Sequence, residues 1–194
     1  PLHGGTLVTF KMATSVGPGV TCRFGTYAEL PGTLQSDGSS LRCVSPASSV
    51  EQWVHVEVRT RSHSQSRASI LGSFYYHSPV RLSSVAPYSG PVTGGTELEL
   101  RGVGFVRGGQ LTRCASAKVR DERRLGGENR QRKATGAAWG ESMASSRLFC
   151  STHAWTRYGG GKRVFVSMNG QQFSASGVAF AYLAVAEVSS VWPP

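Results

Sequence analysis

VRLSSVAPYSGPVTGGTELELRGVGF, residues 80–105, decides the fold, because parts of it recur on both sides at fixed distances. Ser83-Ser84-Val85-Ala86-Pro87 returns as Ser189-Ser190-Val191-Trp192-Pro193, 106 positions on, and Gly94-Gly95-Thr96 is anticipated by Gly4-Gly5-Thr6, 90 positions back. Recurrence at that length marks a tandem repeat of domain-sized units. Cys22 matches Cys114 at a shift of 92, Cys43 matches Cys150 at 107, and Phe74 matches Phe180 at 106. The shift grows by about 15 between the two cysteines of the second copy, so the extra residues are expected there.

Working outward, the repeat divides the 194 residues into a first copy at 1–79, a second at 80–185 and the opening of a third at 186–194. The first copy starts just before its Gly-Gly-Thr, without a counterpart of Val85-Ala86-Pro87-Tyr88-Ser89-Gly90, and is expected to lack its first strand. The chain reads as a fragment of a longer array. Charged residues make up only 16%, and glycine is abundant, a composition suited to short strands and tight turns. No apolar run approaches the ~20 residues of a membrane-spanning helix.

The alternation supports strands throughout. Val54, Val56 and Val58 share one face of a strand from Trp53 to Val58, with His55 and Glu57 opposite. Further strands are predicted at Thr6–Phe10, Thr21–Gly25, Leu41–Val44, Ile70–Tyr76, Glu97–Arg101 and Val178–Tyr182. Gly102 and Gly104 point to a bulge or kink before Phe105. Val164, Val166 and Met168 form an inward face, and Asn169-Gly170 predicts a two-residue type I′ hairpin with Phe173 opening the return strand. Six or seven short strands per copy predict an all-β fold of two sandwiches with Greek-key connections.

These residues carry a family resemblance. Pro87, Ser89-Gly90-Pro91, Gly94-Gly95-Thr96, Gly102-Val103-Gly104-Phe105, the two cysteines, Asn169-Gly170 and the closing Phe180-Ala181-Tyr182 resemble the immunoglobulin-like IPT/TIG domain. That domain occurs in plexins, hepatocyte growth factor receptor-like proteins, fibrocystin-like proteins and protist surface proteins. In the first copy Cys22-Arg23-Phe24-Gly25 and Cys43-Val44-Ser45-Pro46 match the family's Cys-x-Phe-Gly and Cys-x-x-Pro elements. The second copy departs there, with Cys114-Ala115-Ser116 and Cys150-Ser151-Thr152-His153. The resemblance implies tandem immunoglobulin-like sandwiches of the E-set type.

Two groups of side chains stand out as sites. Cys22 with Cys43, and Cys114 with Cys150, lie on neighbouring predicted strands, so a disulfide within each copy is expected; buried free thiols are the alternative. The insertion, at about 115–145, is strongly basic. From Arg107 to Lys133, the basic residues Arg107, Arg113, Lys118, Arg120, Arg123, Arg124, Arg130, Arg132 and Lys133 face only Asp121, Glu122 and Glu128, so that interval carries +6 of the formal +10. Such a loop can meet polyanions: acidic glycans, nucleic acid or the acidic face of a neighbouring subunit. It equally fits a solvated loop without a partner.

Other motifs carry less. Tyr158-Gly159-Gly160-Gly161-Lys162-Arg163 lacks the full phosphate-loop pattern and is read as a flexible turn. Trp53, Trp139, Trp155, Tyr75 and Tyr76 are candidates for sugar stacking, for interfaces or for ordinary core packing. Neither Asn129 nor Asn169 lies in an Asn-x-Ser/Thr sequence, so no N-glycan is expected. The scattered histidines and few acidic residues assign no catalytic, cofactor-binding or metal residue, and the expectation is of no enzyme and no cofactor.

The function expected from all this is a structural or adhesive module of a multi-repeat extracellular or cell-surface protein, acting through protein partners or neighbouring subunits. A ciliary surface is suggested only by where protist members of the resembling family occur. Two alternatives stand beside it. One is a receptor ectodomain binding a protein or acidic glycan. The other, which the cysteine pairs and the missing base-reading element disfavour, is a nucleic-acid-binding or dimerisation domain of transcription-factor type.

Overall fold

The computed structural model describes residues 1–12, 19–62, 65–107, 111–118, 138–144, 146–155, 160–185, 187–190 and 192, with side chains for all of these except 61, 62, 65–67, 118 and 138–144. Every element among the described residues is a β-strand. The chain forms two compact units, Pro1–Pro79 and Val80–Pro194.

The first unit contains β1 (Leu7–Lys11), β2 (Thr21–Phe24), β3 (Leu30–Pro31), β4 (Thr33–Leu34), β5 (Ser40–Val44), β6 (Gln52–Ser62) and β7 (Gln65–Tyr76). They make two sheets, β1-β5-β4 and β3-β2-β6-β7. The chain passes from one sheet to the other at Gly32, between β3 and β4. There a Cβ would press on the Leu41 and Cys22 side chains at 2.9 and 3.1 Å. The core between the sheets holds Cys22, Phe24, Leu41, Cys43, Val54, Val56, Val58 and Tyr76. Burying each aliphatic side chain there contributes roughly 1.5–3 kcal/mol. Phe74 bridges Phe24 and Tyr76 by edge-on contacts, at ring separations of 5.3 and 4.9 Å.

The alternation read at residues 53–58 is present: Val54, Val56 and Val58 are buried while His55 is exposed. The strand nevertheless runs on to Ser62, paired with β7 as far as Ser62↔Gln65. Its continuation, Arg59-Thr60-Arg61-Ser62, has no apolar face, so periodicity could not reveal it.

The second unit contains β8 (Arg81–Ala86), β9 (Ser89–Pro91), β10 (Glu97–Val103), β11 (Arg113–Lys118), β12 (Ala138–Ala144), β13 (Arg147–Ser151), β14 (Gly160–Ser167) and β15 (Val178–Leu183). The order β8-β10-β13-β12-β11-β14-β15-β9 is continuous because β12 pairs with β13 along one part of its length and with β11 along another. The core packs Leu98, Leu100, Leu148, Val164, Val166, Phe180 and Tyr182 around Cys114 and Cys150. The register between β10 and β8 shifts between Arg101 and Gly102, and Gly104 has φ +82°, so the glycines do break the strand as expected.

Within the expected insertion at about 115–145, β11 and β12 pair with one another. Val164, Val166 and Met168 are buried as expected, and Phe165 and Ser167 between them are buried as fully. One expectation for this unit needs correction. Asn169-Gly170 is not a type I′ turn, because Gly170 has φ +71° while Asn169, like every other described non-glycine residue, does not have positive φ. Instead Asn169 Oδ1 accepts from the backbone N–H groups of Gln171 and Gln172, both at 3.0 Å. This side-chain-capped turn displaces the return strand to Val178.

The Gly-Gly-Thr segments are anchored by the same contacts in each unit. Gly5 N–H donates to Ser45 O at 2.9 Å, and Gly95 N–H to Thr152 O at 2.8 Å. Ser45 N–H donates to Thr6 O and Thr152 N–H to Thr96 O, both at 2.9 Å. Thr6 N–H reaches the Ser45 hydroxyl at 3.1 Å, and Thr96 N–H the Thr152 hydroxyl at 2.9 Å.

Candidate functional site

Cysteine on an inward strand position places sulfur in the core, where it can meet a second inward cysteine. Cys22 on β2 is bonded to Cys43 on β5, with Cα atoms 6.2 Å apart, and Cys114 on β11 to Cys150 on β13, at 6.4 Å. All four are buried. The first bond joins the two sheets of its unit, the second joins the strands on either side of β12, and no cysteine is free among the described residues. A sulfur enclosed this way is shielded from thiol exchange, so its role is to hold the sandwich closed.

Of the basic residues singled out in the sequence, only some lie in described positions. Arg107 is exposed beyond Phe105. Arg113, half-buried on β11, donates to Thr112 O at 3.1 Å. Lys118 ends β11 opposite Lys162 of β14. Arg120, Arg123, Arg124, Arg130, Arg132 and Lys133 lie outside the described residues.

Lys162 lies on β14, where a flexible turn is expected from the glycine run. Gly160 and Gly161 are strand residues paired with Tyr182 and Ala181, and they carry Lys162 into a buried position with its Nζ 3.9 Å from the Trp155 ring centre. Trp155 stacks on Tyr182 at 6.0 Å, and the Tyr182 hydroxyl donates to His153 O at 3.2 Å. Burial pushes the Tyr182 hydroxyl above the ordinary tyrosine range. The alternating register after the glycines was the available signal, obscured by the glycine run.

The aromatic candidates separate by burial. Tyr76 is fully enclosed, and desolvation, reinforced by Tyr27, holds its hydroxyl well above the usual value. Trp155 packs on the core, and the Trp139 side chain lies outside the described residues. Trp53 is different: its side chain is 70% exposed on the outer face of β6, in contact with Tyr75 of β7 at a ring separation of 5.0 Å. On the same face Arg23 and Glu57 pair at 2.6 Å, and Arg59 reaches Glu29 at 2.7 Å. Among the described residues no group of three His, Cys, Asp or Glu is placed to hold a metal ion. No helix there is long and apolar enough to cross a membrane.

The family model described as IPT/TIG domain matches residues 79–182. Among solved structures, a chimeric titin Z1Z2-Z1Z2 tandem functionalised with a GRGDS peptide from fibronectin is similar at 13% identity and TM-score 0.31, over 94% of this chain and 93% of that one. A pair of titin Ig tandem domains is similar at 12% identity and TM-score 0.27, over 95% and 90%. Domains 4 and 5 of the S-layer protein SbsC are similar at 11% identity and TM-score 0.27, over 90% and 74%. Comparison with curated proteins gave no match.

Proposed function

Because the chain belongs to the IPT/TIG domain family, in which domains serve as structural and protein-interaction modules, we propose that it is a tandem pair of such domains in an extracellular or cell-surface array. The unit Pro1–Pro79 is the first copy, residues 80–185 are the second, and residues 186–194 open a third. The observation that carries this reading is the doubling of one construction in two units of different length. Each has a buried disulfide between strands that are not direct neighbours and a Gly-Gly-Thr segment held by the same backbone and hydroxyl contacts. Unrelated sandwiches have no reason to repeat a side-chain-capped contact at matching positions.

Two buried disulfides in 194 residues favour a protein matured where thiols are oxidised. In that setting the sandwiches act as spacers and adhesive surfaces, and they perform no catalysis. The basic interval from Arg107 to Lys133 supplies contacts to an acidic partner, either a neighbouring subunit or an acidic glycan, and the protein stands on the cell or ciliary surface. Labelling of intact cells with a membrane-impermeant amine reagent tests the location. The protein is expected to be labelled before permeabilisation; labelling only after permeabilisation contradicts the reading.

A further inference from the structure

β1 and β10 occupy the same place in the two units. Val8 lies opposite Cys43 and Leu98 opposite Cys150, while Phe10 lies opposite Leu41 and Leu100 opposite Leu148. Just beyond them Met12 N–H donates to Ser39 O at 2.7 Å, and Gly102 N–H to Ser146 O at 3.2 Å. The two strands differ on their other side. There β10 is paired with β8, whereas β1 ends its sheet, with β5 its one strand neighbour among the described residues. The core registers the difference: Leu98 and Leu100 are 2% and 0% exposed, but Val8 and Phe10 are only half-buried.

The second unit shows which strand fits such an edge. β8 sets Ser84, Val85 and Ala86 opposite Arg101, Leu100 and Glu99, and Val85 packs against the core. Ser83–Pro87 is repeated as Ser189–Pro193, with Val191 in the place of Val85. Glu187–Ser190 belong to no strand, and Val188 and Trp192 are 79% and 89% exposed. We propose that Ser190-Val191-Trp192 of a second copy of this chain adds to the free edge of β1, antiparallel, with Val191 opposite Phe10, Ser190 opposite Lys11 and Trp192 opposite Thr9. Strand addition satisfies the open backbone groups of the edge, and Val191 shields Phe10 as Val85 shields Leu100. Donor and acceptor are different surfaces, so the contact is heterologous and adds chains head to tail.

The same template limits the paired stretch. In the second unit a Cβ at Gly102 would collide with Arg81 O, so β8 passes that point only because a glycine stands there. The first unit has Met12 instead, and its side chain packs on the core itself. Glu187 and Val188 therefore cannot follow the path of Arg81 and Leu82, and the addition ends at Ser190. Three paired residues hold two chains weakly, at a dissociation constant that is roughly millimolar. The inference rests on the repeat in the proposed function and is independent of where the protein resides.

The test uses the isotope-labelled 194-residue chain at concentrations from about 0.05 to 2 mM. The amide resonances of Thr9, Phe10 and Lys11 are expected to shift with concentration, and a mixture of labelled and unlabelled chains to give intermolecular nuclear Overhauser effects between Phe10 and Val191. Val191→Asp, outside every strand and so without effect on either fold, is expected to weaken the association by roughly tenfold or more, while Val188→Ala leaves it unchanged. Shifts that do not depend on concentration, a contact of the segment with its own chain only, or association that survives Val191→Asp overturns the proposal. Val85→Asp checks the template separately. It should speed hydrogen exchange at Glu99–Arg101 at every concentration. If it does and no association is found, the strand exchange fails and the repeat stands; if exchange there is unchanged, both fail.

Discussion

Replacing Cys22 and Cys43 together by alanine will lower the stability of the first unit by about 3 kcal/mol, and replacing Cys114 and Cys150 will lower that of the second by about 4 kcal/mol. The bonds close loops of 21 and 36 residues, and the entropy that each removes from the unfolded chain grows with the logarithm of that length. Both losses are a large part of the ~5–15 kcal/mol that holds an ordinary domain folded. The effect is local. Urea unfolding followed by peptide-resolved hydrogen exchange should show the Cys22/Cys43 variant opening early within Pro1–Pro79, with the second unit unchanged, and the converse for the other pair. A loss below about 1 kcal/mol in either unit contradicts the structural role assigned to the bridges.

The second large effect comes from a single methyl group. Gly94→Ala is expected to destabilise the second unit by about 3 kcal/mol, and Gly4→Ala the first by a similar amount. Gly94 has φ +78° and Gly4 φ +73°, a conformation that costs an L side chain roughly 1–2 kcal/mol. The added Cβ also meets backbone. At Gly4 it would lie 2.6 Å from Ala47 N and Pro46 C, and at Gly94 it would press on Ala154 N and His153 C. Backbone locked in a loop cannot rotate away as a side chain does, so overpacking adds to the conformational term. Gly95 provides the contrast, for it has φ +77° but nothing within 4 Å of a Cβ. Gly95→Ala should therefore cost only about 1 kcal/mol. Equal costs at Gly94 and Gly95, measured by urea unfolding, would show that close approach plays no part.

That contrast also shows what the sequence could reveal. The Gly-Gly-Thr recurrence was visible as a pattern, but not that its first glycine answers to steric crowding and its second to φ alone. Alternation marked Val54, Val56 and Val58 because one side of β6 meets the core and the other meets solvent. The same logic found Val164, Val166 and Met168 on β14 and beyond it, but not that Phe165 and Ser167 are also buried, since a strand covered on both faces has no polar side to set the period. β12 was hidden because Ala138–Ala144, apart from Trp139, is alanine, glycine, glutamate, serine and methionine rather than β-branched residues. It is held by strands on both sides, not by its own preference. Asn169-Gly170 misled for the opposite reason: the dipeptide has strong turn chemistry, and Asn169 spent it on capping two N–H groups. Of the candidate sites, the cysteines were legible from spacing.

The family and the sandwich fold follow from the residues together with their pairing, whereas the proposed setting depends on the redox state of four sulfurs. The most direct measurement is peptide mapping of the natural protein, thiol-blocked at harvest and digested without reduction. The account predicts two linked peptides, Cys22 with Cys43 and Cys114 with Cys150, and no blocked cysteine. Four blocked, unlinked thiols in freshly harvested protein would contradict it and point to a reduced compartment.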